Sequence, residues 1–176
     1  TVNRQAVNPY LPSWEYIPDG EPHVFEDRLY IFGSHDLENG NEFCEQDYVS
    51  WSAPLDDLSD WRYEGVIYRK DQDPYNVNVL PLYAPDVVQG RDGRYYLYYC
   101  IKFQDSINVA VCDTPAGQYE FYGRVQYKDG QAMMENQTYD PSVICTEEGN
   151  FLYFGFAPCM INIPRYKDQD LKGGSV

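Results

Sequence analysis

The sequence predicts an all-β fold of repeated antiparallel strand units, and three observations predict it. Short runs rich in Tyr, Val, Ile and Phe, bounded by Gly, Asp, Asn and Pro, recur along the 176 residues. Segments with apolar residues at i, i+3, i+4 and i+7 over three turns are few. One strand pattern, opened each time by an acidic residue at 21, 86 and 140, repeats at intervals of 65 and 54 residues.

The first unit starts at Glu21-Pro22-His23-Val24-Phe25 and turns at Glu26-Asp27 into Arg28-Leu29-Tyr30-Ile31-Phe32. Asp47 to Ser52 is its third strand, Ala53 to Asp60 a turn, and Trp61 to Val66 the fourth strand. The second unit opens at Pro85-Asp86-Val87-Val88. It turns at Gln89 to Gly93, where Asp92-Gly93 is a hairpin dipeptide because Gly reaches positive φ without cost. Arg94 to Tyr99, Ile107 to Cys112 and Tyr119 to Val125 complete it, with a turn at Thr114-Pro115-Ala116-Gly117. The third starts at Asp140-Pro141-Ser142-Val143-Ile144, turns at Glu147 to Asn150 and continues from Phe151 to Phe156. Four short antiparallel strands per unit make a propeller blade, and blades bury their faces only by stacking on neighbours. Blade 1 spans about 21–66, blade 2 about 84–125, and a third blade begins at about 139–156. Residues 160–176 form a polar tail with no strand pair. A closed propeller typically needs at least about four blades. The chain, 1–176, therefore reads as the N-terminal portion of a larger propeller, or as one that closes by self-association.

Composition narrows the partners. Twenty-eight acidic against 13 basic residues give a formal charge of -15. That argues against nucleic acid, whose phosphates need Lys and Arg, and against anionic membrane surfaces. No run approaches the roughly 20 apolar residues of a membrane span. Eighteen tyrosines read chiefly as strand packing, with an affinity for wet, sugar-like ligands as the second reading. Cys44, Cys100, Cys112, Cys145 and Cys159 show neither disulfide nor zinc spacing and read as reduced thiols. The N-terminus has no basic region followed by an apolar core, which points to the cytoplasm. The Asn136-Gln137-Thr138 sequon is discounted on the same ground.

Residues opening the innermost strands of a propeller converge near its axis. Glu21, Asp86 and Asp140 all stand there, and convergent carboxylates suit glycoside hydrolysis, with one activating water and another protonating the leaving oxygen. In this frame the chain, from about Asn8 to Phe156, resembles glycoside hydrolase family 43, the five-bladed propellers that include arabinofuranosidases, xylosidases and arabinanases. The resemblance rests on Glu21 to Phe25 with Tyr30 to Asp36, on Trp51 to Trp61, on Tyr83-Ala84-Pro85-Asp86-Val87, and on Tyr139 to Val143.

The resemblance implies an inverting hydrolase acting on O-glycosyl bonds such as α-L-arabinofuranosides or β-xylosides. It places the general base at Glu21, where the family usually has Asp before Pro, with Asp19 as the alternative two residues earlier. It makes Asp140 the acid that orients the general acid and raises its pKa. The general acid is expected beyond Val176, because Glu147 and Glu148 sit in a hairpin turn at the far end of their strand. Asp86 stands near the substrate, with a structural hydrogen bond as the competing role. His35 and Asp36 are candidates for sugar contact or structural bonding. Trp14 and Trp51 are candidate sugar platforms, Tyr83 replaces the family's Trp before Ala-Pro, and Trp61 reads as packing. His23 and His35 have no acidic partner at metal spacing, so neither metal nor cofactor is expected. The acidic surface favours neutral pentosides over uronates. The alternative function is a non-catalytic carbohydrate-binding or structural propeller fragment.

Overall fold

The computed structural model describes residues 9–134 and 138–155. The tail at 160–176, Cys159 and the Asn136 of the sequon lie outside them. Within the described residues are ten strands in three antiparallel sheets, with one short 3-10 turn at Lys70–Gln72. The first sheet is β1 (Glu21–Phe25), β2 (Arg28–Phe32), β3 (Tyr48–Pro54) and β4 (Arg62–Tyr68), in that order. The second is β5 (Leu82–Gln89), β6 (Tyr95–Ile101), β7 (Ile107–Cys112) and β8 (Glu120–Arg124), again in chain order. The third pairs β9 (Ser142–Thr146) with β10 (Gly149–Tyr153). Up-and-down four-stranded sheets packed face to face, with almost no helix, are the architecture of propeller blades.

Alternation along the strands decides which face each side chain takes. In the first sheet the register pairs His23 with Tyr30, Tyr30 with Ser52, Glu21 with Phe32 and Phe32 with Ser50. These residues, with Phe25, share the face toward the second sheet. There Phe25, Tyr30, Phe32 and Tyr48 pack with Leu82, Val87, Tyr95, Leu97 and Tyr99 in one buried cluster. Burial of this aromatic surface, at about 25 cal/mol per Å² of apolar area, dominates the attraction between the two sheets. Six buried tyrosines, Tyr30, Tyr48, Tyr68, Tyr95, Tyr99 and Tyr119, belong to this core, so packing accounts for much of the tyrosine excess.

The buried phenols find partners, as they must in an apolar surround. Tyr68 and Tyr99 share a hydrogen bond of 2.8 Å. Tyr99 donates to Asp73 Oδ2 at 2.5 Å, and Asn108 donates to the same oxygen at 3.0 Å. Tyr48 donates to the Tyr83 carbonyl at 3.0 Å.

The other face of the first sheet carries Ile31 and Trp51, paired across β2 and β3. The N-terminal segment covers it: Trp14 lies 5.9 Å from Trp51 and Tyr10 lies 5.0 Å from Trp61. This cover explains why every residue from Tyr48 to Ala53 is buried rather than every second one. In the third sheet Val143 faces inward, while Ile144, Phe151 and Tyr153 are exposed on the opposite flank. No disulfide forms among the described cysteines; Cys44 and Cys100 are buried, and Cys112 and Cys145 partly so. No described helix is long and apolar enough to cross a membrane.

Candidate active site

The three innermost strands, β1, β5 and β9, meet around Asp86. This side chain is 1% exposed. Its Oδ1 accepts from His23 Nε2 at 2.6 Å and from the Val87 amide at 2.8 Å. Its Oδ2 accepts from the Val143 amide at 2.6 Å. One buried carboxylate thus ties all three sheets together. A buried charge is tolerated only when donors surround it, and here a histidine and two amides do so. Of the two roles expected for Asp86, the geometry displays the structural one.

A bulge brings the chain around this hub. The β5–β6 register shifts between Tyr83 and Asp86, and Ala84 adopts φ 33°, in the left-handed region. The Ala84 amide released from the ladder donates to Ser34 Oγ at 2.8 Å. The Ser34 hydroxyl in turn donates to Asp19 Oδ2 at 3.3 Å. Ser34 is fully buried, so it holds Asp19 from below.

Asp19 and Asp140 line the same cavity, of about 450 Å³, together with Ser34, Cys44, Tyr83 and Tyr139. That volume lies in the range of small-molecule sites, about 300–1,000 Å³. Glu21 lines a smaller neighbouring cavity of about 250 Å³, and Asp19 and Asp140 line that one as well. All three acids therefore stand at one end of the innermost strands. Asp19 and Asp140 both adopt left-handed backbone, φ 54° and φ 51°. Asp tolerates this region better than most residues. The Asp140 carboxyl is raised above the usual carboxylate range, first by partial loss of hydration and then by the negative charge of Asp19. The side chain stands open to solvent at the cavity edge, so the effect reflects the protein crowding one side of it. Burial likewise pushes the Tyr83 phenol up to about 12 and the Cys44 thiol up to about 11. Both remain protonated at neutral pH.

Other candidates lie elsewhere. His35 is buried, with Nδ1 against the Asp47 carbonyl at 2.7 Å and Nε2 against Glu15 Oε1 at 2.8 Å. Asp36 accepts from the Cys44 amide at 2.7 Å. Both hold the loop after β2, and neither lines the cavity. Trp51 is 5% exposed and donates its indole N–H to Glu15 Oε2 at 2.7 Å. Its faces meet Trp14 and Tyr63. Trp14 is more open but stands on this same flank, away from the carboxylates. Neither tryptophan lines the cavity, because β3 points Trp51 away from the second sheet. Phe43, Lys102 and Phe103, which do line it, come from loops without strand pattern, and no sequence signal marked them. Among the described residues no group of three His, Cys, Asp or Glu could hold a metal ion.

Comparison with known proteins fits this geometry. The model of glycosyl hydrolases family 43 matches residues 22–172. A xylosidase/arabinosidase of Thermoclostridium stercorarium is 59% identical over 162 residues, covering 89% of this chain and 34% of that protein. One of Bacteroides ovatus is 33% identical, covering 83% of this chain and 45% of its own length. Among solved structures, the GH43_1 enzyme from Xanthomonas citri complexed with xylose superposes with a TM-score of 0.63 at 31% identity, over 80% of this chain and 40% of that one. The chain thus spans between a third and a half of the proteins it resembles. The matched stretch runs through the repeated sheets and includes Asp86 and Asp140, and on that ground the chain belongs to glycosyl hydrolase family 43.

Proposed function

We propose that this chain forms the base-bearing half of an inverting glycosidase that removes a neutral pentose, a β-xylosyl or α-L-arabinofuranosyl unit, from an oligosaccharide. One observation carries the reading: Asp19 and Asp140 share a cavity of sugar-ring size at the hub of the sheets, and the charge of one reaches the other. The names of the relatives above support the pentose.

Asp19 is the better base than the expected Glu21. It lines both cavities where Glu21 lines one, and Ser34 fixes its carboxylate. Glu21, the first residue of β1, has no comparable anchor among the described contacts, although the Asp19 and Glu21 side chains are both open to solvent. In this reading Asp19 takes a proton from the attacking water. Asp140 orients the group that protonates the leaving oxygen and, by its charge, keeps that group protonated. The acid itself is assigned to no described residue. Glu147 and Glu148 are exposed in the β9–β10 turn, at the opposite end of β9 from Asp140.

The test compares Asp19→Asn, Asp140→Asn and Glu21→Gln in the product of the full reading frame, with xylobiose and an aryl arabinofuranoside as substrates. Removing a general base typically costs about 10²–10⁴ in rate. Asp19→Asn should lose at least that much and Glu21→Gln far less. The reverse order would return the base to Glu21. Sugar binding without hydrolysis by the unmodified protein would favour the non-catalytic binding module.

A further inference from the structure

Two phenylalanines stand almost fully in solvent at the rim of the carboxylate cavity. Phe43, 76% exposed, comes from the loop after β2, and Phe103, 79% exposed, from the β6–β7 turn. Apolar rings of this size are normally buried, and these two come from different sheets to the same opening.

Their loops are held firmly although the rings are not covered. Lys102 bonds Glu42 across the gap between the loops. The Lys102 amide donates to the Pro81 carbonyl at 3.0 Å, and its ammonium stands 5.0 Å from the Phe103 ring centre. The Phe103 main chain lies within hydrogen-bonding reach of the Tyr139 phenol, next to Asp140. Asp36 grips the Cys44 amide at 2.7 Å. Phe103 adopts φ 64° and Cys44 φ 58°. Such backbone is unfavourable for a bulky side chain, and it persists where surrounding contacts enforce it, often at ligand clamps.

We propose that Phe43 and Phe103 form an aromatic clamp for the sugar ring on the leaving-group side of the scissile bond. This rests on the glycosidase reading above. The ring being cleaved must sit against the carboxylates on the cavity floor, where Tyr83 lines the cavity beside Asp19 and Asp140. The next ring outward meets the rim. Phenyl faces take the apolar C–H face of a sugar and offer no hydrogen bond to its hydroxyls, so they read an apolar face rather than individual hydroxyls. The clamp therefore accepts xylosyl, arabinosyl or aryl leaving groups alike, while the floor selects the pentose. The Glu42–Lys102 pair sets the distance between the two rings.

The test uses two substrates in the product of the full reading frame: xylobiose, whose leaving group fills the clamp, and β-xylosyl fluoride, whose leaving group cannot. The readout is the ratio of kcat/KM for the disaccharide over the fluoride. Phe43→Ala and Phe103→Ala should each lower it about tenfold, a typical worth of one ring-stacking contact. Phe43→Tyr and Phe103→Tyr, which keep the aromatic face, should restore it. Lys102→Met should lower it less than either alanine variant. Fluoride turnover by each variant reports that it has folded. An unchanged ratio in both alanine variants overturns the clamp and leaves the glycosidase reading standing. No hydrolysis of either β-xylosyl or α-L-arabinofuranosyl fluoride by the unmodified protein overturns the glycosidase reading itself, and the clamp with it.

Discussion

Asp86→Asn should be among the most destabilising single-atom exchanges in this chain. The substitution keeps the shape and replaces one carboxylate oxygen by an amide nitrogen. If the remaining oxygen keeps the His23 ring and the Val87 amide, the new NH2 points at the Val143 amide, donor against donor, across what is now a 2.6 Å bond. Flipping the amide repairs Val143 and breaks the other two. Either way at least one charge-assisted bond, worth about 1.5–3 kcal/mol, disappears, and a buried donor is stranded at about 1–3 kcal/mol. The total is about 2.5–6 kcal/mol. At roughly 2–4 °C per kcal/mol for a chain of this size, the midpoint falls by about 5–24 °C. Urea unfolding followed by tryptophan fluorescence measures it, with Asp71→Asn as the control. Asp71 makes only an exposed pair with Arg69 at 3.2 Å, worth at most about 1 kcal/mol. Hydrogen exchange adds a local readout, because the Val143 amide should lose protection beyond the global change. Equal stability of the two variants, or an unchanged Val143 amide, would refute the role of Asp86 as a tie between the three sheets.

Gly33→Ala should lower activity more than stability, because an added Cβ would stand 2.5 Å from Ile17 Cγ2 and 2.8 Å from the Pro18 carbonyl, pushing out the segment that carries Asp19; kcat and a melting curve on one preparation separate the effects. Tyr99→Phe should cost about 1–3 kcal/mol in urea unfolding, since it leaves Tyr68 without its 2.8 Å partner and removes a donor from buried Asp73. Ile144→Lys combined with Phe151→Ser should reduce self-association of the isolated 176-residue chain in light scattering, because both rest on the exposed flank of the third sheet. Asp140→Asn should stabilise the fold at neutral pH, since the folded state holds its carboxyl above the unfolded value of 3.8. The folded state then binds the proton more tightly, so the wild type loses stability as pH rises from 3.8 through the raised value. The advantage of the variant should vanish at and below pH 3.8, and a pH series of urea curves with a constant difference would contradict this.

What the sequence disclosed, and what it hid, follows from how far each signal reaches. Strand frames were legible because their determinants are local. Asp92-Gly93 and Glu147 to Asn150 turn the chain where the structure turns it, with Gly93 at φ 83°. The repeat put an acid near the start of each innermost strand, but not at equivalent places: Glu21 opens β1, Asp86 lies within β5 and Asp140 precedes β9. The departures come from contacts between distant segments. The platform expected of Trp51 fails because residues 9–18 cover that flank, and nothing local predicts where an irregular leader packs. Parity offered a partial warning: Trp51 pairs with Ile31, whereas the face toward the second sheet carries Phe32 and Tyr30. The burial of Asp86 depends on His23, 63 residues earlier, and on Val143, 57 residues later.

The ambiguity between Asp19 and Glu21 has a sharper cause. In the repeat frame the opening acid is the first residue of its strand, and Glu21 is the first residue of β1. Asp140 does not obey that frame, since β9 starts at Ser142 and Asp140 precedes it by two residues. Asp19 likewise precedes β1 by two residues, and both adopt left-handed backbone near φ 50°. A residue two positions outside the strand, with inverted backbone, escapes the strand's alternation and aims its carboxylate across the hub. Asp86 follows the other rule, since it lies inside β5, where the ladder directs it into the protein and three donors consume its charge. Position relative to the strand start therefore sorts the acids by chemistry. Those before the strand stay open to the cavity, and the one within it holds the sheets together. By that criterion Glu21, inside β1 yet unpartnered at its exposed end, belongs to neither class, and Asp19 stands as the structural counterpart of Asp140.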